Sequence, residues 1–126
     1  MNLFSDPNQE VIYHIFELLP TIEEGLRHMQ MQLEELRLEE SAELFKNTAE
    51  AIGSIACSIL PMLAGDNDQQ LFQSITHIRQ SITSTINAYE QNDLATIQST
   101  LTHQLLPAYT RWQQDLEQRF RPSVLS

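Results

Sequence analysis

The chain has 126 residues, of which 41% are apolar and 7% aromatic, with three glycines, five prolines and one cysteine. That is enough apolar material for the core of one domain, and it excludes a fibrous, disordered or disulfide-framed chain. A formal net charge of −10 argues against attraction to nucleic-acid phosphates or an anionic membrane, and leaves proteins as the expected partners.

In chain order, Asp6 as N-cap and Pro7 at the first helical position open helix one. Ile15, Leu19, Ile22, Leu26, Met29, Leu33 and Leu36 follow in alternating steps of four and three, one stripe of an amphipathic helix over about 7–37. Extending the stripe would bury Glu40, Glu43 and Asn47, so a turn is predicted between Leu38 and Ser41. Helix two, about 41–63, carries Leu44, Thr48, Ile52, Ile55, Ile59 and Leu63 and stops at Pro61 and Gly65. The run Gly65-Asp66-Asn67-Asp68 reads as a loop, with Asp68 capping helix three over about 68–91.

Helix three presents Leu71, Ile75, Ile78, Ile82 and Tyr89. Its β-branched residues favour a strand, but Gln-Ser-Ile-Thr at 73–76 returns at 80–83, an offset of two helical turns. Asn92 and Asp93 then supply a C-cap and an N-cap before helix four, about 94–120, with its stripe of Leu94, Ile97, Leu101, Leu105, Ala108, Trp112 and Leu116.

Four helices and short connections predict an all-α fold, an antiparallel up-down-up-down four-helix bundle forming a single domain over residues 1–126. Hairpin register sets Pro20 level with Pro107, and folding near residue 39 brings Pro61 to the same layer. Each proline removes a helical hydrogen bond, so helices one and four are predicted to kink at Pro20 and Pro107; Thr21 and Glu24 form a capping box able to restart helix one. Curvature around the core is the expected result, and a ligand pocket at the proline layer is the alternative.

The charge is uneven. Residues 1–50 carry eleven acids and three bases, whereas residues 101–126 carry two acids and three bases. Register gathers Glu34, Glu35, Glu39, Glu40, Glu43, Glu90 and Asp93 at one bundle end, against Arg37 and Lys46. This acidic pole is the candidate partner-binding surface, for a basic protein whose approach depends on salt. At the other end Arg111, Arg119 and Arg121 are expected to pair with Glu10 and Glu17, and Phe4, Tyr13, Phe16, Tyr109, Trp112 and Phe120 are expected to converge, mostly in the core.

No catalytic constellation is present: there is no Glu-x-x-His pair of a di-iron bundle, glycine-rich phosphate loop, nucleophile elbow or zinc-protease helix motif. The run from Asp66 opens like a calcium loop but has Leu71 where glycine is required and His77 where glutamate is required. Glu10, His14 and Glu17 form a weak candidate for a surface metal, without a second helix's ligands. Cys57 is expected to be buried, and the lone thiol fits a reducing compartment. The first ten residues lack the bases of a secretory signal, and the apolar stretch 51–65 is too short and polar to span a bilayer.

Two faces suit a partner. The stripe Ala49, Gly53, Cys57 permits close approach, with packing inside the bundle as its expected use. The outer face of helix three, where Arg79 is the one charge between Gln69 and Tyr89, suits a homodimer or another protein. The functional expectation is a cytoplasmic, non-enzymatic interaction module, an adaptor or chaperone-like bundle with no cofactor; a small-ligand- or metal-binding bundle is the alternative.

The spacing Asp93-Leu94-x-x-Ile97-x-x-x-Leu101-x-x-x-Leu105-Leu106-Pro107-x-x-x-x-Trp112 resembles the closing segment of small, uncharacterised helical proteins of Bacillus-type bacteria. The resemblance implies a bacterial helical bundle with Pro107 and Trp112 as structural anchors. Where such segments carry an Asp and then a Tyr-Glu pair, this chain has Ser99, His103 and Gln104.

Overall fold

The structure, a computed structural model, describes residues 7–63 and 68–125, with side chains for 9–63 and 68–121. Phe4, Asp6 and residues 64–67, which include most of the expected loop before helix three, lie outside it. The elements are α1 (Pro7–Glu34), α2 (Leu38–Ile59), a 3-10 turn (Leu60–Leu63), α3 (Gln69–Glu90), α4 (Leu94–Thr100), a π-turn (Leu101–Leu105) and α5 (Leu106–Leu125). The α4 helix, the π-turn and α5 make one rod, so four rods form an all-α four-helix bundle. In it α1 packs on α2 and α5, and α3 packs on α4 and α5, while α2 and α3 meet over a shorter seam.

The stripes find the core they were built for. Ile15, Leu19, Ile22, Leu26, Met29 and Leu33 from α1 are buried with Ile52, Ile55 and Ile59 from α2, Leu71, Ile75 and Ile78 from α3, and Ile97, Leu101, Leu105, Trp112 and Leu116 from the fourth rod. Each such side chain stabilises the fold by about 1.5–3 kcal/mol relative to exposure. Hydroxyls that enter the core are satisfied by their own helices: Thr48 Oγ1 donates to the Leu44 carbonyl at 2.8 Å, and Thr85 Oγ1 to that of Ser81 at 2.8 Å.

The first turn falls earlier than the stripe predicted. Leu36, expected in the core, is 74% exposed and has φ of 62°. It ends α1 in a left-handed cap: Arg37 N–H donates to the Gln32 carbonyl at 2.8 Å and Leu36 N–H to that of Leu33 at 3.1 Å, the paired bonds of a Schellman motif. Glycine ordinarily holds that position, because a Cβ there crowds the backbone.

The displaced turn shifts α2 along α1. Pro61 borders a groove with Val11, Ser58 and Met62, further toward the start of α1 than the predicted proline layer. The layer of three prolines therefore does not form, and its level is closed core, with Leu19, Ala108 and Tyr109 each at most 2% exposed. In the same register Gly25 faces α2, where an added Cβ would lie 3.0 Å from Thr48 Oγ1.

Pro20 and Pro107 are both exposed and are accommodated differently. The α1 helix continues through Pro20. Before Pro107 the chain widens into the π-turn, in which Leu106 N–H reaches back to the Leu101 carbonyl. The wider turn relieves the clash between a proline ring and the carbonyl four residues earlier. Between these positions Tyr109 Oη donates to the Leu19 carbonyl at 2.6 Å, inside the core. Burial, then Glu23 and Glu117, push its phenol well above the ordinary 10.0.

Two outcomes follow from this packing. Leu36→Gly should stabilise the chain by about 1 kcal/mol, read as a higher urea midpoint at unchanged m-value, because it relieves the left-handed strain and sacrifices an exposed side chain. Above about pH 10 an unfolded Tyr109 releases a proton that the folded form keeps. Its contribution is thus complete below that pH and lost as pH climbs toward the raised folded value. Tyr109→Phe should cost about 1 kcal/mol at neutral pH and make the alkaline loss of stability shallower in melts taken from pH 8 to 11.

Candidate functional site

The acidic end is assembled by its two turns. Asn92, with φ of 55°, closes α3 as Leu36 closes α1, and Asp93 caps α4 by accepting from Ala95 N–H at 3.3 Å and Thr96 Oγ1 at 2.6 Å. The turns are drawn together across α2 and α3, where Tyr89 Oη donates to Ser41 Oγ at 2.9 Å and the Tyr89 ring stacks on Phe45 at 5.5 Å. Burial pushes the Tyr89 phenol up, against the opposing effect of the Ser41 bond. A hydroxyl at 41 and a phenol at 89 carry no local signature of this contact, so the sequence pattern did not reveal it.

Around these anchors Glu34, Glu35, Glu39, Glu40, Glu43, Glu90 and Asp93 are all exposed. Glu39 and Glu40 occupy the first turn of α2, where the helix dipole favours them. Arg37 is the local countercharge, donating from Nε to Glu40 at 2.7 Å and from Nη1 to Glu35 at 3.3 Å. These bonds, Glu40's first, raise its already high pKa, so its charge is permanent. Lys46 is also exposed, and Leu36 stands at the tip among the carboxylates.

Other expected sites change. His14 Nδ1 lies 3.2 Å from Glu17 Oε1 on the surface, but no group of three or more His, Cys, Asp or Glu among the described residues is placed to hold a metal, so Glu10, His14 and Glu17 do not form the candidate centre. The C-terminal arginines find carboxylates other than Glu10 and Glu17: Arg111 lies 4.0 Å from Asp115, Arg121 lies 2.8 Å from Glu117, and Arg119 lies 3.4 Å from Asp68. The first two lie one helical turn from their partners, the shortest reach available.

Cys57, expected to be buried, is exposed, and so is Gly53, so of the small-residue stripe only Ala49 packs against the core. The buried stripe of α2 includes Ala56, and Cys57 is about 100° further round the helix. Of the expected terminal cluster, Tyr109, Trp112 and Phe120 are buried, Phe16 is half-buried and Tyr13 is 54% exposed.

A polar cleft of about 230 Å³ escaped the sequence reading; Asp68, Gln70, Asp115, Gln118 and Arg119 line it. Asp115 is buried and accepts from Gln70 Nε2 at 2.8 Å. Asp68 caps α3 by accepting from Leu71 N–H at 3.1 Å while it pairs with Arg119. Its carboxylate thus ties the start of α3 to the end of the fourth rod.

No helix of the described residues is long and apolar enough to cross a membrane. A family model described as "Domain of unknown function (DUF8042)" matches residues 10–115. Comparison with curated proteins and with solved structures gives no match. Asp68→Ala, which removes both cap and ion pair, should cost about 1–2 kcal/mol, whereas Asp68→Asn, which keeps a capping oxygen, should cost less than about 1 kcal/mol. Urea denaturation of the two variants checks the order, and equal losses would contradict the capping role.

Proposed function

The chain belongs to the DUF8042 family, a domain of unknown function, and we propose, from the acidic end of the bundle, that it is a non-enzymatic protein–protein interaction module of the bacterial cytoplasm, an adaptor or chaperone-like bundle that docks a basic partner. The observation that carries this reading is the acidic end: seven exposed carboxylates with Arg37 bonded to two of them, and Leu36 standing among them 74% exposed. Such a surface steers a basic partner over long range, and an apolar tip at its centre supplies contact that is less dependent on salt.

The test compares the native chain with a variant carrying Glu35→Gln, Glu39→Gln, Glu40→Gln and Glu43→Gln, each shown to be folded by circular dichroism. Immobilised native protein should retain basic proteins from a bacterial lysate at low salt and release them at high salt, and the variant should not retain them. Retention of the same set by both proteins would overturn the reading.

A further inference from the structure

We propose that the outer shoulder of α3 docks one amphipathic helix of another protein, a helix whose apolar seam carries a carboxylate at its centre. The proposal rests on the reading of the chain as an interaction module and adds a second surface with its own chemistry. Phe72, Thr76, Arg79, Thr83 and Ile86 recur in alternating steps of four and three, the spacing of a packed seam, yet all five are exposed. Thr76 Oγ1 donates to the Phe72 carbonyl at 3.0 Å and Thr83 Oγ1 to the Arg79 carbonyl at 3.1 Å. With their hydroxyls engaged on their own helix, these threonines add methyl groups to the seam.

There is room for the partner. Phe72 borders a shallow groove of about 260 Å³ with Gln73, Thr76, His77 and Gln80.

Arg79 decides the occupant. Arg27, Arg37, Arg111, Arg119 and Arg121 each pair with a carboxylate. Arg79 has no carboxylate partner among the described residues, in a chain with seventeen of them, and it sits midway between Phe72 and Ile86. A helix laid over this seam takes the guanidinium out of water, which is unfavourable unless the newcomer supplies the countercharge. A second copy of α3 centred on Arg79 fails to do so, because either direction of pairing then sets Arg79 against Arg79, and an antiparallel copy offset to bring Glu90 opposite Arg79 leaves Phe72 beyond the overlap. The occupant is therefore a different helix with Asp or Glu opposite Arg79. Because α3 runs on to Glu90 at the acidic end, basic residues at one end of that helix complete the match.

Three synthetic helical peptides of about 18 residues, roughly 27 Å long, test this. They share a Leu/Ile heptad seam with lysines at one end and differ only at the central seam position, which is Glu, Gln or Lys. Fluorescence anisotropy with the full chain should rank Glu tightest and Lys weakest, about tenfold apart. Arg79→Glu should reverse the order, and Ile86→Asp should weaken all three; both positions are exposed, and thermal melts verify folding. Equal affinities, an order unchanged by Arg79→Glu, or no binding at all would overturn the proposal, as would a solution dimer in sedimentation that Ile86→Asp abolishes. The four-glutamine variant of the acidic end should keep the Glu-over-Lys preference. That result separates failure of this seam from failure of acidic-end docking.

Discussion

The left-handed cap at Leu36 sets where α2 lies against α1, and much of the bundle depends on that register. With α1 ending at Glu34 and α2 beginning at Leu38, Gly25 comes opposite Thr48 and Pro61 borders Val11. The same turn places Arg37 where it can bond Glu35 and Glu40 together. A leucine at φ of 62° is unfavourable by itself, and it is held by the two cap bonds and by the packing of the helices on either side. The cost of the conformation is thus spread over a whole hairpin.

The rods divide the packing work by side-chain size. The α1 helix and the fourth rod bring Leu, Ile, Met, Tyr and Trp, while α2 and α3 bury Ser41, Thr48, Ser74, Ser81 and Thr85 beside their isoleucines. Small hydroxyl residues let backbones approach, and bonding to carbonyls of their own helices removes the penalty of burying them. Ser81 also reaches the Gln104 carbonyl at 3.4 Å, in the π-turn that makes space for Pro107. The inner side of α3 is thereby committed to the fourth rod, and its outer shoulder is left unpartnered between the two turns.

The core was legible because a periodic signal needs no knowledge of neighbours. Leu19, Leu26, Ile78 and Trp112 fall on stripes that any amphipathic helix would bury, and Asp68 and Asp93 announce themselves as caps by type and position. The same reasoning failed where the stripe ran past its helix, at Leu36, because the pattern does not say at which residue a hairpin closes. It failed again at Cys57 and Gly53, since small residues are compatible with either face of a helix. The arginine pairings differ from the register's because facing register gives the level of a side chain but not its direction, and for Arg111 and Arg121 an acid one turn away on the same helix is closer than one across the bundle.

By itself, then, the sequence determined the helical class, the four apolar stripes, the caps of α3 and α4, and the gathering of acidic residues near two neighbouring turns, all of which follow from spacing along the chain. Tertiary structure decided the register of α2 on α1, the closing of the proline level, the Asp115–Gln70 and Tyr89–Ser41 contacts, and which arginine has no carboxylate partner among the described residues. Those outcomes depend on distances between residues far apart in the chain, set by helix packing and turn geometry. A local pattern of apolar and charged residues carries no measure of such distances.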